Sequence, residues 1–149
     1  MQLAESGENY LENILILQAR NGQVRSSDIA TSMGFSKPSV SRAVHLLKDN
    51  GYLTMDSSNL IELTEQGLAV ATDVYEKHIF LREFLIHLGV SEENAAVDAC
   101  KIEHVISDET FEKLKGVFPD IYAHIKENAF DDEFILAFHR ENQYKQDKD

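Results

Sequence analysis

Apolar residues recur at intervals of three and four positions along most of the chain, and this spacing predicts a mainly helical protein. The predicted helices cover residues 8–19, 27–33, about 37–49, 65–88 and 91–105, with one more up to residue 118 and a further piece opened by Pro119. The expected N-caps are Ser26 or Ser27, Ser36, Thr64, Ser91 and Ser107. The expected stop signals are Asn21-Gly22, Asn50-Gly51 and Gly89.

Two short apolar stretches, residues 52–55 and 60–63, interrupt the helical pattern. The sequence Asp-Ser-Ser-Asn lies between them and has the composition of a turn, so the segment is predicted to form a small hairpin. The order helix, turn, helix, hairpin is that of a winged helix-turn-helix. We therefore predict such a domain over residues 1–64, a helical domain over 65–139, and a disordered tail over 140–149, where apolar periodicity is missing.

The composition narrows the class of protein. No apolar run approaches the roughly 18–20 residues that would span a bilayer, no signal peptide is visible, and a single cysteine fits a reducing compartment. We therefore expect a cytoplasmic protein without a membrane partner.

The net charge is −12, but the first 50 residues hold five bases and five acids, so the excess of negative charge falls on the rest of the chain. A neutral half can approach phosphates while an acidic half binds cations.

The third predicted helix has the outer face of a recognition helix, because short hydroxyl side chains allow close approach to the major groove and Arg42 can reach a guanine or a phosphate. The candidate DNA-binding residues are Arg25, Ser26, Ser27, Ser36, Lys37, Pro38, Ser39, Ser41 and Arg42. Winged helices also serve as protein-interaction modules, and the predicted wing holds Asp56 and no Lys or Arg. Binding of DNA is the preferred interpretation.

A possible metal site lies in the predicted helix 91–105. Cys100, Glu103 and His104 are spaced i, i+3, i+4 and share one helical face. His78 falls on the apolar stripe of the preceding helix, between Tyr75 and Leu81, where a lone histidine is more often a hydrogen-bonded core residue than a ligand. The same stripe includes Ala71, Val74, Leu85 and Leu88.

The first helix adds oxygen donors to this candidate site, because Asn9 and Glu12 share one of its faces by i, i+3 spacing. Imidazoles, carboxylates, one amide and one thiolate together suit a first-row divalent ion better than calcium or magnesium. The predicted ligand set is Asn9, Glu12, His78, Cys100, Glu103 and His104.

Four stretches of the chain resemble the diphtheria-toxin-repressor family of bacterial iron- and manganese-dependent regulators, which includes the manganese-transport regulators. They are DIATSMGFSKPSVSRAVHLLKDNGYL, IELTEQG, YEKHIFLREFL and DACKIEHVISDE, in the family's order over roughly residues 8–118. The resemblance implies a homodimer with an N-terminal winged helix-turn-helix and a helical metal-binding and dimerisation domain. It further implies a repressor of metal-uptake genes that binds a palindromic operator when Fe²⁺ or Mn²⁺ is bound. The length matches the short, two-domain form of the family.

By the same resemblance, His78, Glu103 and His104 match the family's ligands. Cys100 matches the iron branch and Glu12 the manganese branch, whereas Asn9 departs from both and offers only a neutral amide oxygen. Glu5, four residues earlier, is a possible substitute. The family's second metal position is replaced by Arg82 and Ala96, so the resemblance implies one principal site per protomer.

Two other functions remain open on the sequence. A winged-helix regulator that has lost its response to metal would bind DNA in the presence of a chelator. A metalloenzyme or metal-buffering protein would use Cys100, Glu103 and His104 for a catalytic or stored ion. Against the latter, the sequence shows no separate nucleophile set and no phosphate-binding glycine loop, so we expect no enzyme activity and no small organic substrate.

Overall fold

A computed structural model of the chain describes residues 3–138. It divides into two compact units, Met1–Asp73 and Val74–Asp149. The predicted disordered tail, 140–149, lies outside the described residues. Among the helices of the described part, none is long and apolar enough to cross a membrane.

The first unit has the element order of a winged helix-turn-helix, as the sequence predicted. Its elements are α1 (Glu5–Asn21), α2 (Ser26–Met33), α3 (Lys37–Asp49), β1 (Leu53–Met55), β2 (Ile61–Leu63) and the first part of α4 (Glu65–His87). Helices α1, α2 and α3 contact one another, and α1 also contacts β2. The core of the unit is apolar, because α1 buries Leu11 and Ile14 while α3 buries Val40, Val44 and Leu47.

The start of α2 differs from the prediction. Its N-cap is Arg25, so neither Ser26 nor Ser27 caps the helix. The Asp28 carboxylate accepts a hydrogen bond from the Arg25 backbone N–H at 2.9 Å, and this contact closes the first turn. Ser26 is half-buried and Ser27 is exposed.

The wing is an antiparallel hairpin with Leu53 opposite Leu63 and Met55 opposite Ile61. In its turn, Asp56 Oδ1 accepts hydrogen bonds from the backbone N–H groups of Ser58 and Leu60, at 2.8 and 3.0 Å. These contacts explain why the predicted Asp-Ser-Ser-Asn turn forms.

Helix α4 starts tightly against the hairpin. Thr64 is its cap, since the hydroxyl accepts a hydrogen bond from Gly67 N–H at 3.1 Å and donates one to the Gly51 carbonyl at 2.7 Å. The backbone of Tyr52 lies so close that a Cβ built on Gly67 would stand 1.9 Å from the Tyr52 carbonyl oxygen. Only glycine fits this position without displacing the backbone of Tyr52, the residue before β1.

The second unit is helical. It contains the rest of α4, then α5 (Glu92–Ile102), α6 (Asp108–Val117), α7 (Pro119–Asn128) and a helical segment over residues 132–138. Ser91 and Ser107 cap α5 and α6 as predicted, each accepting a hydrogen bond from the backbone N–H three residues on. Helix α5 ends at Ile102, before the predicted residue 105, and a turn follows.

Aromatic rings fill the core of the second unit. Tyr75 packs edge-on against Phe130 and Phe138, with ring centroids 5.4 and 5.8 Å apart, and its hydroxyl donates a hydrogen bond to the Ala129 carbonyl. Leu88, which was predicted to belong to the inward stripe of α4, is instead 64% exposed. It lies just past the end of the helix, where Gly89 takes a left-handed conformation.

Candidate metal centre and nucleic-acid interface

The candidate metal centre is built at the end of α5. Ligand atoms of Cys100, Glu103 and His104 all lie within 4.8 Å of one another. Glu103 is the residue after the helix but keeps helical backbone angles, φ −57° and ψ −28°, and donates its N–H to the Ala99 carbonyl. The i, i+3, i+4 face predicted from the sequence therefore persists although the helix itself ends at Ile102.

His78 completes the centre on the side of α4. Its Nδ1 lies 2.8 Å from Glu103 Oε2, and both side chains are inaccessible to solvent, at 1% and 0% exposed. His104 Nε2 lies 3.2 Å from Glu103 Oε1. One carboxylate thus bridges two imidazoles, and the prediction that His78 and the Glu103-His104 pair lie together is confirmed.

The electrostatics of Glu103 follow from this arrangement. Burial by itself would raise the pKa of the carboxyl group, but the charge of His78 and hydrogen bonds with His104 and His78 hold the pKa below its ordinary value. Glu103 is therefore held as the anion, which is the form that can ligate a cation.

The donor set fits a transition metal. Bonds of about 2.0–2.3 Å to sulfur, nitrogen and oxygen place neighbouring ligand atoms roughly 3–4.6 Å apart, and the mutual separations here, all within 4.8 Å, allow that. A thiolate and an imidazole are poor ligands for Mg²⁺ or Ca²⁺ and good ones for first-row divalent ions.

Asn9 and Glu12 lie in the first unit, one turn apart on α1. Glu12 is fully buried, with 0% of its surface exposed. A carboxylate in such surroundings must be compensated by a cation or by hydrogen bonds. Their role as metal ligands stays a prediction.

Arg82, one turn after His78 on α4, makes ion pairs with two glutamates. Its guanidinium nitrogens lie 2.6 Å from Glu83 Oε1 and 3.2 Å from Glu92 Oε1, and only 8% of the residue is exposed. A guanidinium has no acceptor and stays charged, so it cannot ligate a cation. The number of metal positions per protomer stays a prediction.

The candidate nucleic-acid interface begins at the N-terminus of α3. Ser36 caps the helix by accepting a hydrogen bond from Ser39 N–H at 3.3 Å, and Pro38 lies in the first turn as predicted. The Ser36 and Ser39 hydroxyls are 2.9 Å apart, and Arg42 Nη2 donates to Ser39 Oγ at 3.3 Å. Together with exposed Lys37, these side chains present hydroxyl and cationic groups to solvent.

A polar groove of about 360 Å³ brings together the other four predicted DNA-binding residues. It is lined by Arg25, Ser26, Ser27, Ser41, His45, Met55 and Asn59. Arg25 also donates from Nε to the Ser58 carbonyl at 3.3 Å, which ties the wing turn to the start of α2.

Three lining residues were missing from the predicted set: His45, Met55 and Asn59. His45 lies one turn after Ser41 on α3, and helical spacing alone already places it on the outward face of the helix. Asn59 has a left-handed backbone, with φ 63°, and Met55 ends β1. Only the three-dimensional structure places these two beside α3.

Two protein-family models match the chain, one over the winged-helix domain and one over the helical domain. Residues 2–61 match the family model described as "Iron dependent repressor, N-terminal DNA binding domain". Residues 64–121 match the one described as "Iron dependent repressor, metal binding and dimerisation domain". Fold and site thus define a metal-dependent transcriptional regulator with a winged helix.

Individual relatives narrow the assignment. An HTH-type transcriptional regulator of Methanocaldococcus jannaschii is 33% identical over 115 residues, which are 76% of this chain and 92% of the relative. The HTH-type transcriptional regulator MntR of Geobacillus kaustophilus is 34% identical over 109 residues, 73% of this chain and 77% of that one. The chain belongs to the DtxR/MntR family of metal-dependent repressors, and the expectation of a regulator, not an enzyme, is confirmed.

Solved structures share the fold. The manganese regulator SloR superposes with a TM-score of 0.68 and 29% identity over 80% of this chain. That match covers 55% of SloR, so the chain spans about half the length of this structural relative.

Proposed function

We propose that the protein is a transcriptional repressor activated by Fe²⁺ or Mn²⁺, which binds a palindromic operator as a homodimer and controls metal-uptake genes. The observation that carries the proposal is the cluster of Cys100, Glu103 and His104, with buried His78 on Glu103, in a chain that also presents a recognition helix. A catalytic or storage site would leave that helix without a role.

The proposed ligand set is completed by Asn9 and Glu12. Support comes from the complete burial of the Glu12 carboxylate and from the i, i+3 spacing of the two residues on α1. A divalent ion held there would compensate the negative charge of a buried carboxylate. Asn9 contributes only a neutral oxygen, so we expect it to be the weakest ligand.

Helix α1 connects the proposed metal ligands Asn9 and Glu12 to the DNA-binding elements of the first unit. Within the first unit α1 contacts both α2 and α3. Any state that holds Asn9 and Glu12 in place therefore also restricts the recognition helix. A ligand that favours this state by differential affinity shifts the population toward it, and operator binding rises by the same coupling free energy.

The DNA contacts are proposed for the predicted residues. Lys37 and Arg42 would neutralise phosphates or read guanine, while Ser36, Pro38, Ser39 and Ser41 permit close approach. Arg25, Ser26 and Ser27 would contact the backbone from the start of α2. In a two-fold dimer, each recognition helix reads one half-site, which is why the operator is expected to be palindromic.

The choice of metal depends on Cys100. Its thiolate favours softer ions, whereas the Glu103 carboxylate beside it also suits Mn²⁺. A Cys100→Glu variant tests this: we expect Mn²⁺ to activate DNA binding at lower concentration in the variant, with the response to Fe²⁺ unchanged or weaker. Anaerobic titration of each ion against operator binding measures both.

The first experiment selects duplexes from a random pool with metal-stripped protein, under anaerobic conditions, with and without Mn²⁺ or Fe²⁺. The expected result is a palindromic motif that is bound only with metal and released by chelator. His104→Ala is expected to abolish the metal response while its circular dichroism spectrum stays native. His124→Ala, a substitution outside the cluster, is the matched control.

Two outcomes would contradict the proposal. Operator binding that persists in chelator would identify a metal-blind winged-helix regulator. A metal response retained in His104→Ala would show that the centre is assigned to the wrong residues.

A further inference from the structure

His45 stands at the edge of the polar groove on the outer face of α3. The groove is bounded by the start of α2, by α3 and by the wing, and His45 shares it with Ser41, one turn earlier, and with Asn59. The residue is exposed. A side chain in the third turn of a recognition helix is within reach of base edges when the helix enters the major groove.

The imidazole has a defined orientation. Its Nδ1 lies 2.7 Å from the backbone carbonyl oxygen of Ser41. A carbonyl oxygen only accepts hydrogen bonds, so Nδ1 carries the proton and donates it. In the neutral ring Nε2 then has a lone pair and is an acceptor. The helix backbone itself therefore selects the tautomer that His45 offers to a partner.

This acceptor differs from the neighbouring groups of α3. Arg42 and Lys37 have only donors, which suit the O6 and N7 acceptors of guanine and the phosphates. The side-chain hydroxyl of Ser41 can donate or accept, so it discriminates little. On this face of α3, the acceptor Nε2 of neutral His45 pairs with a hydrogen-bond donor of the DNA.

The major groove presents such donors at two bases only. Adenine offers its N6 amine and cytosine its N4 amine, while guanine and thymine present the acceptors O6 and O4 at the corresponding place. We propose that His45 is a specificity-determining residue whose Nε2 accepts a hydrogen bond from the exocyclic amine of adenine or cytosine. The inference rests on the proposed DNA-binding function and adds the class of base that this residue reads.

The test is selection of duplexes by the Mn²⁺-loaded full chain, with His45→Ala and His45→Lys beside the natural protein. For the natural protein we expect one position per half-site at which A or C is preferred over G or T, roughly fivefold, as one hydrogen bond allows. His45→Ala should lose this preference and keep the rest of the motif. His45→Lys, which replaces the acceptor by a donor, should invert it toward G or T.

His87→Ala is the matched control, because His87 is also exposed on a helix and its Nδ1 also lies 2.8 Å from the carbonyl oxygen four residues earlier. It lies outside the groove and should leave the motif unchanged. Equal thermal midpoints of the variants verify folding.

The outcomes separate the inference from the proposed function. An unchanged motif in His45→Ala, or a uniform loss of affinity for every sequence, overturns the role of His45 while DNA binding stands. No enriched motif with the natural protein in any metal overturns both.

Discussion

Replacing Gly67 by alanine sets two physical effects against each other. Alanine is the better helix former by about 1 kcal/mol, so helix propensity alone predicts a gain in stability. The new Cβ, however, would lie 1.9 Å from the Tyr52 carbonyl oxygen and 2.9 Å from its carbonyl carbon. Both are backbone atoms, and Tyr52 O also accepts the Thr64 N–H at 3.1 Å, so neither can rotate away.

Relief of that overlap requires the strand or the helix to move by roughly 1 Å, which typically costs about 1–3 kcal/mol or more in a packed interior. After the opposing gain in helix propensity of about 1 kcal/mol, we expect Gly67→Ala to lower the free energy of unfolding by up to about 2 kcal/mol. Because the movement displaces β1 and with it the wing, operator affinity should fall as well.

Urea unfolding of the metal-free protein, followed by circular dichroism, measures the change. Gly116→Ala is the control, because Gly116 is also helical and a Cβ there would have no neighbour within 4 Å among residues 3–138. That variant should be as stable as the natural protein or gain up to about 1 kcal/mol. The reasoning would be refuted if Gly67→Ala were as stable as Gly116→Ala.

Three further substitutions test caps and the buried centre. Ser36→Ala removes the cap of α3 and should cost about 1 kcal/mol in urea unfolding, with weaker DNA binding; an unchanged midpoint would contradict the cap. Glu103→Gln should destabilise the metal-free protein near neutral pH. Since the pKa of Glu103 is lowered by folding from about 4.5, its stabilisation is present above that pH and is lost as the pH falls through the lower folded value. A pH series should therefore show the two proteins converging in acid, and a constant difference would contradict it. Phe138→Ala removes a ring 5.4 Å from His78 and should lower both the thermal midpoint and metal affinity; loss of stability alone would limit Phe138 to the core.

Local sequence patterns were enough to predict the DNA-binding domain and part of the metal centre. Apolar periodicity and the Ser-Lys-Pro-Ser start of α3 were enough to predict the winged helix-turn-helix and its recognition helix, because caps and helical faces depend on residues within a few positions. The same locality predicted that Cys100, Glu103 and His104 share a face. It extended α5 to residue 105, beyond the observed end of the helix at Ile102.

Long-range contacts decided the rest. That Glu103 bridges His78 and His104, and is held as an anion by them, follows from α4 and α5 meeting at one buried point. Sequence spacing carries no information on such a distance between helices. In the same way, only the folded hairpin brings Asn59 and Met55 to the groove beside His45. The sequence by itself determined the elements and the types of ligand, because these are set by neighbours in the chain. The tertiary structure decided the burial, the contact partners and the charge of these residues. Those properties depend on residues that are far apart in the chain and meet only in the fold.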